Sequence, residues 1–372
     1  MPALPIRSIP DTRFDCNGCG DCCRSYSLGP VEPEVIAGLE EAGIDRLWPA
    51  AGEAPWHEER VDEEDGRKRV YLRRREGGCV FLRPDNLCAI HALLGAEAKP
   101  WFCRYFPFTL LAEPDAVTLA LRRECSSWHR TRKDGTPAME LVPDLLSMID
   151  RVPPHGFDPS GFLALPGVKL GGDYWRDLEE RLVDHVEDST AGPEATLASL
   201  RTLIHRLMRR EPPEPVAGAY SEILSGLLDY LADWTEGALA ETDLAADEDR
   251  VAKAVAATAW ARQAAEGTRS GLAPANLQPE AAALLLDHLR HFIFGKEFRA
   301  MGELTAGLGA FLLDVAVARR IAEPGPDGTV SEDALASALV PWIRFSTNTR
   351  VLIALRLRQS DLASLFRENP AS

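Results

Sequence analysis

Residues 14–23 of the chain read Phe-Asp-Cys-Asn-Gly-Cys-Gly-Asp-Cys-Cys, with cysteines at positions 16, 19, 22 and 23. Two-residue spacers allow successive thiolates to turn back toward one ion. Gly18 and Gly20 permit the positive φ values that such a loop needs. The spacing C-x2-C-x2-C is typical of the ligands of a bacterial ferredoxin cluster. This stretch therefore predicts a loop-rich domain that a metal centre holds together.

The cysteines are confined to one part of the chain. All eight lie between residues 16 and 125, at Cys16, Cys19, Cys22, Cys23, Cys79, Cys88, Cys103 and Cys125. Cysteines used as small core residues would be scattered over the whole chain. The sequence shows neither a signal peptide nor an apolar stretch long enough to span a bilayer, so we expect a cytoplasmic protein with no membrane contact. Thiols in that compartment stay reduced, and clustered reduced thiols predict metal ligands rather than disulfides.

The assignment of ligands to sites has alternatives. Adjacent side chains diverge, so either Cys22 and Cys23 serve two metal sites or one of them is not a ligand. A fourth ligand for the N-terminal loop is expected from Cys103, which leaves Cys79, Cys88 and Cys125 for another site. His91 and His129 follow cysteines at spacings that suit zinc, although an ordinary surface or capping position is the favoured explanation for each. We expect an iron–sulfur cluster, with Zn²⁺ as the alternative.

Charged and aromatic residues next to the cysteines are candidates for supporting roles. Arg24 and Arg104 directly follow ligand cysteines, and we expect them to offset the negative charge of the thiolates or to anchor an anionic substrate. Tyr105 belongs to an aromatic group around Cys103 that is expected to shield the metal from water. The basic residues 67–69 and 73–75 are typical of a solvated hairpin face. No familiar catalytic motif occurs, and the catalytic residues stay unassigned.

The predicted fold class is α+β and predominantly α. Residues 1–135 are expected to form a cysteine-cluster metal-binding domain of short elements, including a helix at Pro33–Ala42 and hairpins around residues 65–66 and 113–115. Residues 136–170 are a Pro-rich connector. Residues 171–372 are expected to form an all-helical region on which the first domain packs. Its apolar periodicity predicts helices at Tyr174–Val186, Pro193–Arg210, Val216–Leu239, Asp247–Ala265, Pro279–Phe294, Glu297–Ala322, Ser331–Arg344 and Asn348–Arg358.

Four motifs in sequence order resemble a known family. They are the stretch 14–23, Cys-Val-Phe-Leu at 79–82, Cys-Ala-Ile-His at 88–91 and Cys-Arg-Tyr-Phe-Pro at 103–107. Residues 12–130 resemble the YkgJ-type cysteine-cluster (CxxCxxCC) family, which is described as zinc- or iron-chelating and includes the flagellin lysine-N-methylases. The resemblance implies that the cysteines of these motifs are metal ligands, with Cys125 as the late cysteine of the pattern.

Three functions follow as hypotheses. The first is an iron–sulfur enzyme related to the lysine-N-methylases, which would use S-adenosylmethionine on a protein substrate; methylation rests on the resemblance alone. The second is a zinc-stapled protein without catalysis, whose helical part binds a partner. The third is an electron-transfer protein with a redox partner. The formal net charge of -16 disfavours a nucleic-acid partner.

Overall fold

The structure is a computed structural model that describes residues 4–26, 28–51, 55–61, 66–75, 77–142, 155–214, 216–241 and 248–368. The chain forms two compact units. The cysteine unit consists of Pro10–Thr109 and Cys125–Pro154, and the helical unit consists of Met1–Ile9, Leu110–Glu124 and His155–Ser372. The domain boundaries at 135 and 170 stay predictions. Residues 143–154, in the predicted connector, lie outside the described residues.

Short elements make up the cysteine unit. Its helices are α1 (Asp21–Ser25), α2 (Pro33–Glu41), α3 (Ile44–Leu47), α4 (Ala89–Leu94), α5 (Trp101–Tyr105) and α6 (Trp128–Thr131), and its strands are β2 (His57–Val61), β3 (Lys68–Leu72), β4 (Arg74–Arg75) and β5 (Gly78–Cys79). The predicted helix at residues 33–42 is α2, which starts with proline and is followed by Gly43 at a φ of 67°. The predicted first hairpin is the antiparallel pair β2–β3, in which Glu59 lies opposite Val70.

The core of the cysteine unit is small and contains a thiol. Leu39, Ile44, Trp56 and Phe81 are among its buried members, Cys79 belongs to the same cluster, and Cys23 and Cys88 pack against it. These three cysteines are thus part of the interior of this unit rather than of a peripheral loop.

One small sheet lies in the helical unit. It contains β1 (Ile6–Arg7), β6 (Phe108–Ala112), β7 (Val117–Leu121) and β8 (His155–Gly156), in the order β1-β7-β6-β8. The predicted second hairpin is the pair β6–β7. The outer strands add to it in parallel, with Ile6 opposite Val117 and Leu111 opposite His155. Every residue of β7 is buried.

Helices account for most of the helical unit. They are α7 (Gly172–Glu187), α8 (Pro193–Leu207), α9 (Ala219–Glu241), α10 (Glu248–Arg269), α11 (Pro279–Phe294), α12 (Leu304–Ile321), α13 (Glu332–Ser346), α14 (Thr349–Leu357) and α15 (Gln359–Arg367). They enclose one continuous hydrophobic core. One short parallel strand pair, β11 (Asn276–Leu277) with β12 (Thr329–Val330), interrupts the region predicted as all-helical. Another pair, β9 (Leu163–Leu165) with β10 (Val168–Lys169), lies in the predicted connector. The predicted class, α+β and predominantly α, is confirmed.

Two helix predictions need correction. The helix predicted over 297–322 is divided into a 3₁₀ turn at Glu297–Met301 and α12, because Gly302 adopts a φ of 77° and Glu303 is extended. The last helix, α15, was not predicted. In the part of the chain that the structure describes, no helix is long and apolar enough to cross a membrane.

The interior of the helical unit holds a buried cation between two carboxylates. Lys296 is fully buried, and its Nζ lies 2.9 Å from Glu113 Oε1 and 2.5 Å from Glu179 Oε1. Thr118 Oγ1 accepts a hydrogen bond from the same Nζ at 3.1 Å. These contacts join the β6–β7 turn to α7 and to the segment after α11. A buried charge of this kind is tolerated only when it is paired.

Candidate metal centre

The loop of residues 16–20 leads directly into helix α1. Gly18 and Gly20 have φ values of 67° and 72°, as the sequence predicts, and Gly20 is the N-cap of α1. A side chain at Gly18 would also approach Leu87 Cδ2 to 2.9 Å. Both glycines are therefore required for the loop to turn and to lie against the segment 86–87.

The four N-terminal thiols differ in exposure. Cys16 is exposed, whereas Cys19, Cys22 and Cys23 are half-buried. Cys22 and Cys23 lie in the first turn of α1, and their Sγ atoms are 3.9 Å apart. The side chains of the adjacent pair therefore diverge less than the sequence argument assumed.

A distant segment of the chain returns to this loop. Ser127 Oγ donates a hydrogen bond to Asn17 Oδ1 at 2.5 Å and lies 3.6 Å from Cys19 Sγ. Ser126 Oγ donates to Asp21 Oδ2 at 2.5 Å. Cys125, which precedes the two serines, is buried. Hydroxyl groups more than 100 residues away thus fix the loop and bring Cys125 toward it.

The remaining three cysteines lie on short elements of the same unit. Cys79 ends β5 and is buried, and its Sγ accepts a hydrogen bond from the backbone N–H of Phe81 at 3.5 Å. Cys88 is the N-cap residue of α4. Cys103 lies in the middle of α5, whose N-cap is Pro100. Since α1 also packs against β5, Cys79 is near the Cys22–Cys23 pair.

Electrostatic interactions show which thiols are neighbours. The pKa of Cys23 is raised by its hydrogen bond with Cys22, by burial, and by the charges of Cys22, Cys79 and Cys103. Burial raises the pKa of Cys79 to about 12, with Cys88 and Cys22 adding to the effect. The pKa of Cys103 is raised well above its ordinary value by burial, and the charges of Cys79, Cys88 and Cys22 raise it further.

A second group of thiols lies on the other side of Cys22. Burial raises the pKa of Cys125 to about 12, hydrogen bonds from the backbone of Trp128 and Ser127 oppose that rise, and the charges of Cys19 and Cys22 add to it. Cys22 therefore belongs to both groups. Thiols this close cannot all ionise unless a cation compensates their charge.

The donor chemistry fits a metal that prefers thiolates. Across the described ranges, no three His, Cys, Asp or Glu side chains are arranged so that they could hold one ion. The neighbouring groups around α1 are nevertheless all sulfur donors, and thiolates are the ligands of zinc in closed sites and of iron–sulfur clusters. The cysteines of both groups are the residues that would hold either metal centre.

The two arginines that follow cysteines have partners within the protein. Arg24 Nη1 donates to the carbonyl oxygen of Cys19 at 3.1 Å, and its Nη2 donates to Asn86 Oδ1. Arg24 therefore ties the cysteine loop to the turn at residues 83–86. Arg104 is mostly buried and forms an ion pair with the exposed Glu97, with 2.7 Å between Nη2 and Oε2. Their predicted roles toward a metal centre or a substrate stay predictions.

The other predicted neighbours of the metal differ in burial. Tyr105 is buried, and its ring packs edge-to-face on Trp101 at 5.7 Å between centroids. Burial raises the pKa of Tyr105. His91 is exposed on α4, whereas His129 is buried in α6. Tyr105 and His129 are therefore interior groups, and His91 faces solvent.

Two cations near the thiols were missed by the sequence analysis. The charge of Arg74 lowers the pKa of Cys79, and the charge of Lys99 lowers that of Cys103, although burial dominates at both thiols. Arg74 is half-buried and donates to the carbonyl oxygens of Tyr26, Arg24 and Gly77 at 3.3, 2.5 and 2.8 Å. It therefore differs from the solvated face predicted for its basic stretch.

Comparisons with known proteins agree with this site. Residues 15–126 match the model of the CxxCxxCC family, described as a "Putative zinc- or iron-chelating domain". An uncharacterized protein of Methanocaldococcus jannaschii is 30% identical over 109 residues. That alignment covers 28% of this chain and 39% of the relative, so the chain spans well under half of the relative's length. No solved structure matches. Residues 15–126 therefore match the CxxCxxCC family, as the resemblance predicted, and this match supports a cysteine-cluster metal-binding protein.

Proposed function

We propose that the cysteine unit binds an iron–sulfur cluster through thiolates gathered around α1. The observation that carries the proposal is that buried and half-buried thiols from five separate segments of the chain lie close enough to raise one another's pKa. The C-x2-C-x2-C spacing of Cys16, Cys19 and Cys22 favours iron over zinc, because it is the spacing of ferredoxin ligands.

The eight thiols form two sets of four in this proposal. Cys16, Cys19, Cys22 and Cys125 are the first set, and Cys23, Cys79, Cys88 and Cys103 are the second. The division is supported by the charges that act on Cys125, which come from Cys19 and Cys22, and by those that act on Cys103, which include Cys79 and Cys88. The adjacent pair then contributes one ligand to each set.

Residues around the thiols would adjust the properties of a bound cluster. Such a cluster supplies one-electron chemistry, and its potential depends on burial, nearby charge and hydrogen bonds to sulfur. In this chain Arg74 and Lys99 place positive charge near the second set, and the N–H of Phe81 donates to Cys79. The aromatic rings of Trp101 and Tyr105 exclude water from the Cys103 side.

The reaction of the protein stays a prediction. A transfer that uses S-adenosylmethionine on a protein lysine is implied only by the resemblance to the flagellin lysine-N-methylases. One observation is compatible with it: Cys16 is exposed, so solvent and a substrate reach the first set at that position. An electron-transfer role with a redox partner needs no open position, and the two sets of four thiols favour it because four thiolates leave no iron of a four-iron cluster open.

Anaerobic purification of the full chain with metal and sulfide analysis tests the metal. We expect iron and acid-labile sulfide in equal amounts and a broad visible absorption. Cys22→Ala should lose the iron of the first set, whereas His91→Ala should retain all of it, since His91 is exposed and is not in either set. Stoichiometric zinc without sulfide would overturn the proposal in favour of the structural zinc site.

The two sets can be distinguished by paired variants. Cys125→Ala should reduce the iron bound by the first set and leave the second set loaded, and Cys88→Ala should do the opposite. Equal and complete loss in both variants would contradict the division. Calorimetry of the iron-loaded protein with S-adenosylmethionine then tests the transferase hypothesis, which fails if no binding occurs.

A further inference from the structure

A cavity of 620 Å³ lies within the helical unit, far along the chain from the cysteines. Its walls come from α8, from α15, from the first residues of α12 and from Leu165 at the end of β9. Ligand pockets for small molecules span roughly 300–1,000 Å³, so the cavity has the size of a binding site.

Two arginines line one side of the cavity. Arg201 of α8 and Arg367 of α15 meet there, because an Nη1 hydrogen of Arg201 is donated to the carbonyl oxygen of Arg367. The Nε atom of Arg201 is buried and has no hydrogen-bond partner among the described residues. Arg367 donates from Nε to Glu368 at 2.7 Å and from Nη2 to Ser364 Oγ at 3.3 Å. Arg201 therefore retains donor capacity next to the cavity.

The beginnings of two helices add further donors. Thr305 lies in the first turn of α12, and Gln359 and Ser360 are the first two residues of α15; all three line the cavity. The first N–H groups of a helix have no acceptor within the helix, and the N-terminus carries partial positive charge. Neither α12 nor α15 has a side-chain cap at its N-terminus.

One acid and one imidazole also line the cavity. Burial raises the pKa of Glu303, whose carboxylate accepts a hydrogen bond from Thr305. The pKa of His205 is lowered by burial and by the charge of Arg201. Both shifts favour the neutral forms of these side chains. Glu368 is the charged carboxylate beside the arginines, since its pKa is lowered, against the effect of burial, by hydrogen bonds from the Val216 N–H and Arg367 and by the charges of Arg367 and Arg201. Arg367 is therefore paired, and Arg201 together with the helix N-termini is what the cavity offers to an anion.

The rest of the lining is apolar. Leu165, Leu357, Ala363 and Phe366 supply its carbon surface. A ligand that fits both parts has an apolar body and one anionic group. The cavity thus differs from a site for an inorganic ion, because such a site needs no apolar wall.

We propose that this cavity binds a small organic anion, with its carboxylate or phosphate group at Arg201 and the starts of α12 and α15. The apolar body of the ligand lies against Leu357 and Phe366. The proposal is independent of the metal centre, because every residue it uses belongs to the helical unit.

Calorimetry of the full-length protein with three probes of similar shape tests the charge requirement. Phenyl phosphate and benzoate carry the two candidate anionic groups, and benzyl alcohol is their neutral counterpart. We expect at least one anion to bind at least tenfold more tightly than benzyl alcohol. The relative affinities of phenyl phosphate and benzoate identify which group the site prefers. Binding of neither anion at millimolar concentration would overturn the proposal.

Variants with a matched control test the location. Arg201→Gln should weaken anion binding at least tenfold, whereas Arg206→Gln should have no effect, because Arg206 is exposed on the same helix and does not line the cavity. Ala363→Leu fills part of the cavity without changing charge and should also weaken binding. It keeps the test decisive if Arg201→Gln does not fold. Equal affinities in Ala363→Leu and the wild-type protein would refute this location.

Discussion

Gly309 in α12 allows the backbone of α15 to pack against it. A Cβ atom added at Gly309 would lie 1.9 Å from the carbonyl oxygen of Leu362 and 2.5 Å from its carbonyl carbon. Ordinary contacts begin at 3.4 Å, so α15 would have to move away by about 1.5 Å. The obstacle is backbone, which cannot rotate aside as a side chain can.

We expect Gly309→Ala to destabilise the helical unit by about 2 kcal/mol net. Overpacking of a dense core costs about 1–3 kcal/mol, and a backbone obstacle belongs at the upper end of that range. The gain in helix propensity from glycine to alanine, about 1 kcal/mol, offsets part of this cost. The net effect is therefore unfavourable although alanine is the better helix former.

Gly237→Ala in α9 is the matched control. The substitution is the same and the position is also inside a helix, but no atom lies within 4 Å of the added Cβ. Only the propensity gain remains, so this variant should be stabilised by about 0.5–1 kcal/mol.

Urea unfolding followed by circular dichroism measures both effects as shifts of the transition midpoint. The midpoints should increase in the order Gly309→Ala, wild type, Gly237→Ala. A Gly309→Ala protein as stable as the wild type, measured beside a stabilised Gly237→Ala, would show that α12 and α15 are not packed this closely.

Three further predictions concern charge and metal. Burial lowers the pKa of His291 to about 3 from 6.5, so the unfolded state takes up a proton first as pH falls, and the native state loses about 2 kcal/mol of stability between pH 7 and pH 5 through this group. His291→Gln should remove that part of the pH dependence, which urea midpoints at the two pH values measure. A midpoint shift in the variant as large as the wild-type shift would contradict the reasoning. Lys296→Met removes the buried ammonium from Glu113 and Glu179, which keep Arg176 as a shared ion-pair partner, so it should cost about 3 kcal/mol in urea unfolding, the lower end of the range for a broken buried pair. Glu179→Gln in the same chain should restore part of that cost, and a second change that adds its full cost to the first would argue against coupling. Removal of metal by a chelator should expose the amides of the cysteine unit to hydrogen exchange while those of α11 and α12 keep their protection; unchanged exchange in both units would show that the metal contributes nothing to folding.

Local patterns in the sequence predicted the element boundaries well. The predicted helix from Ser331 is α13, with Ser331 as N-cap accepting a hydrogen bond from the N–H of Ala334. Asn348 caps α14 in the same way. Such signals depend on residues three or four positions apart, so a linear reading detects them. The positive φ values of Gly18 and Gly20 are predictable for the same reason.

Contacts between distant segments were not predictable. Nothing in the sequence near Ser126 and Ser127 indicates that they donate hydrogen bonds to Asp21 and Asn17. The sequence likewise contains no pattern that predicts the pairing of Ile6 with Val117. The cysteine positions indicated a cluster, but its division around Cys22 depends on how β5, α4 and α5 fold. The cavity beside Arg201 combines helices that are 150 residues apart, and no motif marks it.

The size of the elements around the thiols bears on why a metal is needed. Helices α1 and α5 have five residues each, and β5 has two. A helix of five residues has too few internal hydrogen bonds to overcome its nucleation cost, so tertiary contacts must hold it. The described core of the cysteine unit supplies some of these contacts, but the thiols of α1, β5 and α5 lie where further bonds would join all three elements at once. Metal–thiolate bonds would close the long loops between Cys23, Cys79 and Cys103, and metal affinity would then be part of the folding free energy of this unit.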